Sequence, residues 1–162
     1  MVITAIKKLG FFLGVFSLGI SLASAAGPGP LKAKPGDKCP ICGMFVAKYP
    51  DFAAQIQFMD GTTLHFDGAK DMFKYYLNLA RHAPGRKPSD IGAIFVTDYY
   101  TLSPVEAMSA SYVAGSDVFG PMGRELIPFS KLSQARDFMK DHKGKTVVRF
   151  RDVTPAVVGA LD

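Results

Sequence analysis

Three observations predict an α+β fold made of two related ββαβ units packed together. Residues 53–58 alternate, with Ala54, Ile56 and Phe58 on one face, and Asp60-Gly61 then marks a hairpin into a second extended run. Met72, Phe73, Tyr76, Leu77 and Ala80 recur at helical spacing and make one apolar stripe. The order strand, strand, helix, strand then returns between Ser111 and Phe150.

Taken in order, residues 1–25 read as an export signal. Lys7 and Lys8 form a short basic region, an apolar run interrupted by glycine and serine follows, and Ala23-Ser24-Ala25 supplies a cleavage site. The apolar run is short for a membrane span. No cysteine stands at the cleavage point, so no lipid attachment is expected there. Residues 26–37, rich in Pro and Gly, read as an extended, mobile linker.

The first unit is placed at 38–105. Side-chain parity argues for a three-residue loop, Met59-Asp60-Gly61, because it pairs Ile56 with Leu64 and Ala54 with Phe66 and keeps apolar side chains together. Asp67 is expected as the N-cap of a helix near 68–81. The run from Ala93 to Val96 reads as a buried strand. The second unit is placed at 106–152. Residues 111–114 form a strand, Gly115 to Gly123 a loop, and Leu126 to Phe129 an edge strand, since Pro128 cannot donate to a ladder. Leu132, Ala135, Phe138 and Met139 then give a helix near 131–143, and Thr146 to Phe150 a final strand. Residues 153–162 are left as a C-terminal tail.

Composition narrows the function. The formal charge is +5 over 162 residues and falls once Lys7 and Lys8 leave with the signal. Basic residues are scattered rather than gathered in the stripe that nucleic-acid binders carry. Two cysteines are too few for a disulfide scaffold or a four-thiolate zinc or iron–sulfur site. No nucleophile elbow or histidine-rich metal motif points to a hydrolase.

The chemistry concentrates in Asp37-Lys38-Cys39-Pro40-Ile41-Cys42-Gly43-Met44, which holds both cysteines. Two thiols and a thioether so close together are soft donors, and soft donors select Cu(I) over hard cations. A Cys-x-x-Cys pair is also compatible with a disulfide or a thiol–disulfide oxidoreductase. Against that use, no strand-like run precedes Cys39, and β-rich sequence rather than a helix follows Met44. Export would place the thiols in an oxidising compartment, where a free pair needs protection by a metal or a partner.

Cys42-Gly43-Met44, the Gln-Ile-containing strand, the Phe66-Asp67 helix start, Tyr112-Val113-Ala114-Gly115-Ser116, Gly120-Pro121-Met122-Gly123 and Ile127-Pro128-Phe129 together resemble the NosL family. The resemblance spans about Asp37 to Asp152, and the pairing of two glycine–methionine motifs makes it specific. It implies a pair of related ββαβ units and an extracytoplasmic copper carrier, an accessory of nitrous oxide reductase. Many members are lipoproteins, and the cleavage site here departs from that pattern. The cysteine motif and hairpin also resemble small YHS/TRASH-type metal domains, but the further cysteines those carry are replaced here by His65-Phe66-Asp67.

The expected site is one Cu(I) held mainly by Cys42, the donor with a charge to neutralise the cation, with sulfur from Met44 and Met122. Gly120 and Gly123 flank Met122 and allow close approach; the alternative for this methionine is ordinary apolar packing. Cys39 is either a co-ligand or a disulfide partner. His65, on the polar face of its strand, is either a ligand or solvated. The protein expected is a periplasmic Cu(I) metallochaperone, not an enzyme, with an acceptor cuproprotein as partner.

Overall fold

The computed structural model describes residues 29–162, so the export signal assigned to 1–25 lies outside it. Seven strands and four helices are present among these residues. The first unit contains β1 (Ala54–Phe58), β2 (Thr63–Phe66), α1 (Ala69–Leu77), a single helical turn α2 (Leu79–His82) and β3 (Ile91–Thr97), with a short added strand β4 (Pro104–Glu106). The second contains β5 (Ser111–Gly120), β6 (Gly123–Phe129), α3 (Leu132–Asp141) and β7 (Thr146–Arg149), followed by α4 (Pro155–Gly159). The antiparallel sheets are ordered β2-β1-β3-β4 and β6-β5-β7. In both units the first strand is therefore central, with its hairpin partner on one side and the post-helix strand on the other. The α+β class and the repeated ββαβ order are as the sequence predicts.

The first hairpin follows side-chain parity. Ile56 faces Leu64 and Ala54 faces Phe66. The Phe58 amide donates to Thr62 O at 2.8 Å, the Gly61 amide donates to Phe58 O at 3.0 Å, and Gly61 takes φ +86°. A left-handed residue there favours glycine because it has no Cβ to strike the carbonyl.

Elsewhere local reading and structure diverge. Residues 115–123 are not a loop: the ladder resumes with Phe119 opposite Arg124 and Gly120 opposite Gly123, leaving only Pro121-Met122 at the turn. A register irregularity between Ala114 and Phe119, with Gly115 at φ +76°, absorbs the residues that looked like loop. Asp67 does not cap α1; Gly68 holds that position without a side-chain cap. The helical stripe breaks at Asn78, whose φ −121° and ψ +40° end α1, so Leu79 is buried and Ala80 exposed. Residues 29–37 are held rather than mobile. Gln55 grips the Leu31 main chain through both amide atoms, at 2.9 and 3.0 Å, and Gln57 Nε2 donates to Gly29 O at 2.9 Å. Buried side-chain amides need partners, and an extended backbone supplies them. The residues after Val153 carry α4, and Val158 and Leu161 are buried in the core.

One helix organises the interior. Ala69, Lys70, Asp71, Met72, Phe73 and Tyr75 of α1 are buried, because the helix touches β1 and β2 on one side and β6 and α4 on the other. Phe73 meets Tyr112 edge-on at 5.1 Å and Phe150 at 4.9 Å, while Phe66 meets Tyr75 at 5.4 Å. Each such aromatic contributes roughly 1.5–3 kcal/mol by burial. The α3 helix is one-sided by contrast, with Ala135 and Phe138 packed on Val113, Ile127 and Phe129. The layers run first sheet, α1, second sheet, α3. Asp98, fully buried, ties the units by accepting the amides of Tyr100, Thr101 and Ser130.

Candidate metal centre

The cysteine segment folds as a small knuckle. The Cys39 amide donates to Met44 O at 2.9 Å, the Gly43 amide donates to Cys39 O at 2.8 Å, and Lys38 bridges to Phe45. Gly43 takes φ +78°, which lets the chain reverse within this ring. The reversal brings the thiols of Cys39 and Cys42 to one side, facing the end of β2 and the start of α1.

Two carboxylates meet them there. Cys39 Sγ lies 3.4 Å from Asp71 Oδ2, and Cys42 Sγ lies 3.3 Å from Asp67 Oδ1, the thiols donating. One donor atom from each of these four residues lies within 4.8 Å of all the others. Cys39, Asp67 and Asp71 are buried and Cys42 is half-buried. Asp67 Oδ2 is buried without a hydrogen-bond partner, an unsatisfied acceptor that a cation would satisfy. Burial pushes both thiols up, Cys42 to about 11 and Cys39 further, and the facing carboxylates add to the shift. The thiols are therefore protonated at neutral pH, and a metal would displace those protons. A redox thiol needs the opposite bias, such as a helix N-terminus that favours thiolate. Here Cys42 is followed by a 3-10 turn at Val46–Lys48, not by an α-helix.

The other expected residues fall into three places. Met44 lies opposite Cys39 across the knuckle and is half-buried. Met122 sits at the β5–β6 turn, 44% exposed, with its carbonyl accepting from Lys70 Nζ at 2.9 Å. His65 is not among the four clustered residues; its Nε2 lies 3.6 Å from Asp37, and burial holds the imidazole below its ordinary value against the pull of that carboxylate. Sequence reasoning missed Asp71 entirely and read Asp67 as a cap. The available signal was two carboxylates four residues apart where a strand runs into a helix.

Fold and site thus define a small α+β protein of two ββαβ units with a two-thiol, two-carboxylate cluster where the knuckle meets α1. The chain belongs to the NosL family, whose pattern it matches over residues 30–158. It is 27% identical over 142 residues to the copper-binding lipoprotein NosL of Stutzerimonas stutzeri, an alignment covering 80% of this chain and 68% of that one. The crystal structure of the copper chaperone NosL from Shewanella denitrificans has the same fold, with a TM-score of 0.64 at 24% identity over 78% of this chain and 99% of that chain. The solution structure of apo-NosL from Achromobacter cycloclastes matches at 30% identity and a TM-score of 0.45, over 65% and 87% of the respective chains.

Proposed function

We propose that this protein is an extracytoplasmic copper chaperone that carries Cu(I) at the Cys39–Cys42–Asp67–Asp71 cluster. The observation that carries the reading is the convergence of both thiols on two buried carboxylates, one with a free oxygen, in a NosL-family chain. Thiolate sulfur selects Cu(I), and the thioethers of Met44 and Met122 complete a soft donor set. Cys42 is the principal ligand, with Cys39 its co-ligand. The carboxylates hold the thiol protons in the empty site and orient the sulfurs once those protons leave. His65 stands one step out, paired with Asp37, and serves the segment that enters the knuckle.

Release follows from exposure. Cys39 is sealed, whereas Cys42 is half-buried and the Met122 turn is open to solvent. An acceptor's donors can displace the outer ligands one at a time, without free copper appearing. The acceptor implied by the family is nitrous oxide reductase or its assembly machinery, reached in the periplasm after removal of the export signal.

Competitive Cu(I) titration of the reduced protein tests the reading. High-affinity binding should be stoichiometric and abolished by Cys42→Ser, while Met44→Leu and Met122→Leu each weaken it in part. X-ray absorption should show sulfur-dominated low coordination. Cys42→Ser binding as tightly as the parent would refute the assignment. Turnover in an insulin-reduction assay would favour a thiol–disulfide oxidoreductase instead.

A further inference from the structure

Glu125 lies on β6, three residues past Met122, and is 3% exposed. Burying a carboxyl group is costly unless N–H donors meet it. Oε1 accepts two, from the amides of Lys70 and Leu126. The Lys70 amide belongs to the first turn of α1, where no intrahelical partner exists, and the Gly68 cap offers no side chain. A hairpin of the second unit therefore caps the helix of the first. Two glycines clear the space: a Cβ on Gly68 would stand 2.1 Å from Oε2, and one on Gly120 would stand 3.1 Å from the Glu125 side chain. Lys70, itself buried, carries the tie to the hairpin tip by donating from Nζ to Met122 O.

We infer that Glu125 is a positioning residue for the metal site: by capping α1 it locks the β5–β6 hairpin, and with it Met122, onto the turn that carries Asp67 and Asp71. The inference rests on Met122 being a sulfur donor, as proposed above. Glu125 makes its hydrogen bonds to main-chain amides. It sets the register between the hairpin and the helix, and Lys70 and the two glycines serve the same register.

Competitive Cu(I) titration of the purified protein tests this with the variants Glu125→Ala, Glu125→Gln, Met122→Leu, Cys42→Ser and the double variant Glu125→Ala/Met122→Leu. Glu125→Ala should lose about tenfold in affinity, as ligand-orienting groups do. In the Met122→Leu background the same change should cost less than about twofold, because its route to the metal is already gone. Glu125→Gln keeps the accepting oxygen and should stay within about twofold of the parent. Should Glu125→Ala fail to fold, Lys70→Met takes its place: it cuts the tie to the turn, along with an ion pair to Asp162, and the same dependence on Met122 is expected. Equal losses in both backgrounds, or a Glu125→Gln loss matching that of alanine, would overturn the inference. Cys42→Ser separates the two readings. If it binds like the parent, the metal site itself fails; if it loses binding while Glu125→Ala does not, only the role of Glu125 fails.

Discussion

Two kinds of ionisable group, the thiols and a buried carboxyl, act in opposite ways with pH. The thiols of Cys39 and Cys42 must lose protons to bind metal, and burial holds them up, Cys42 to about 11. Copper affinity should therefore rise steadily between pH 6 and pH 9, read by competition at each pH. Asp67→Asn and Asp71→Asn should each lower it about tenfold at pH 7, as outer-shell substitutions do. Glu125 concerns stability instead. Burial raises its carboxyl from 4.5 to about 8. A group raised on folding contributes stability that is complete below its unfolded value and lost as pH climbs through its folded one. Between pH 4.5 and pH 8 the metal-free protein should lose on the order of a few kcal/mol from this source. Denaturant melts of Glu125→Gln should show a flatter profile over that interval, and an unchanged slope would count against a protonated Glu125.

Two short segments set how the secondary structure is assembled. The Met59-Asp60-Gly61 loop depends on Gly61 at φ +86°. Gly61→Ala should destabilise by about 1 kcal/mol through left-handed strain alone, since its Cβ would meet nothing within 4 Å. Gly68→Ala should cost more, because there the new carbon collides with the Glu125 carboxyl. The strap of residues 29–33 is tied by the amides of Gln55 and Gln57 to the face of β1. Gln55→Leu removes both bonds to Leu31 and should speed tryptic cleavage after Lys32 severalfold, with the melting midpoint little moved. An unchanged cleavage rate would show that the strap is held by other contacts.

The two units share one large core, and the second keeps a smaller cluster of its own beneath α3. Phe73 packs on Tyr112 and Phe150 of the second unit, and its neighbours Met72 and Tyr75 join the same core as Ile56 and Phe66 of the first. Phe73→Ala should cost about 3–5 kcal/mol and should lower both units together in one transition. Two resolved transitions, one per ββαβ unit, would show independent folding instead. Sharing α1 also explains where the thiol–carboxylate cluster forms. The start of that helix is the place where the knuckle, β2 and the second hairpin all arrive.

Much of this protein is legible along the chain, for a local reason. A strand or helix states its buried face within a few residues, so the runs 53–58 and 93–96 and the stripe of α3 can be read directly, and parity sets the first hairpin's register. The cysteine knuckle is equally local, since its ring closes within six residues. What escaped is what depends on distant partners. Asp67 and Asp71 gain their role from thiols 25 and 32 positions away, and Glu125 from an amide 55 positions away. Residues 115–123 carry loop-like glycines, yet the pairing of Phe119 and Gly120 with β6 carries the strand through them. Residues 29–37 have linker composition, yet two buried glutamines needed the backbone partners they provide. Residue patterns determined which segments are regular and where soft sulfur gathers. Packing decided which carboxylates face that sulfur, because burial and hydrogen-bond satisfaction are settled only when distant segments meet.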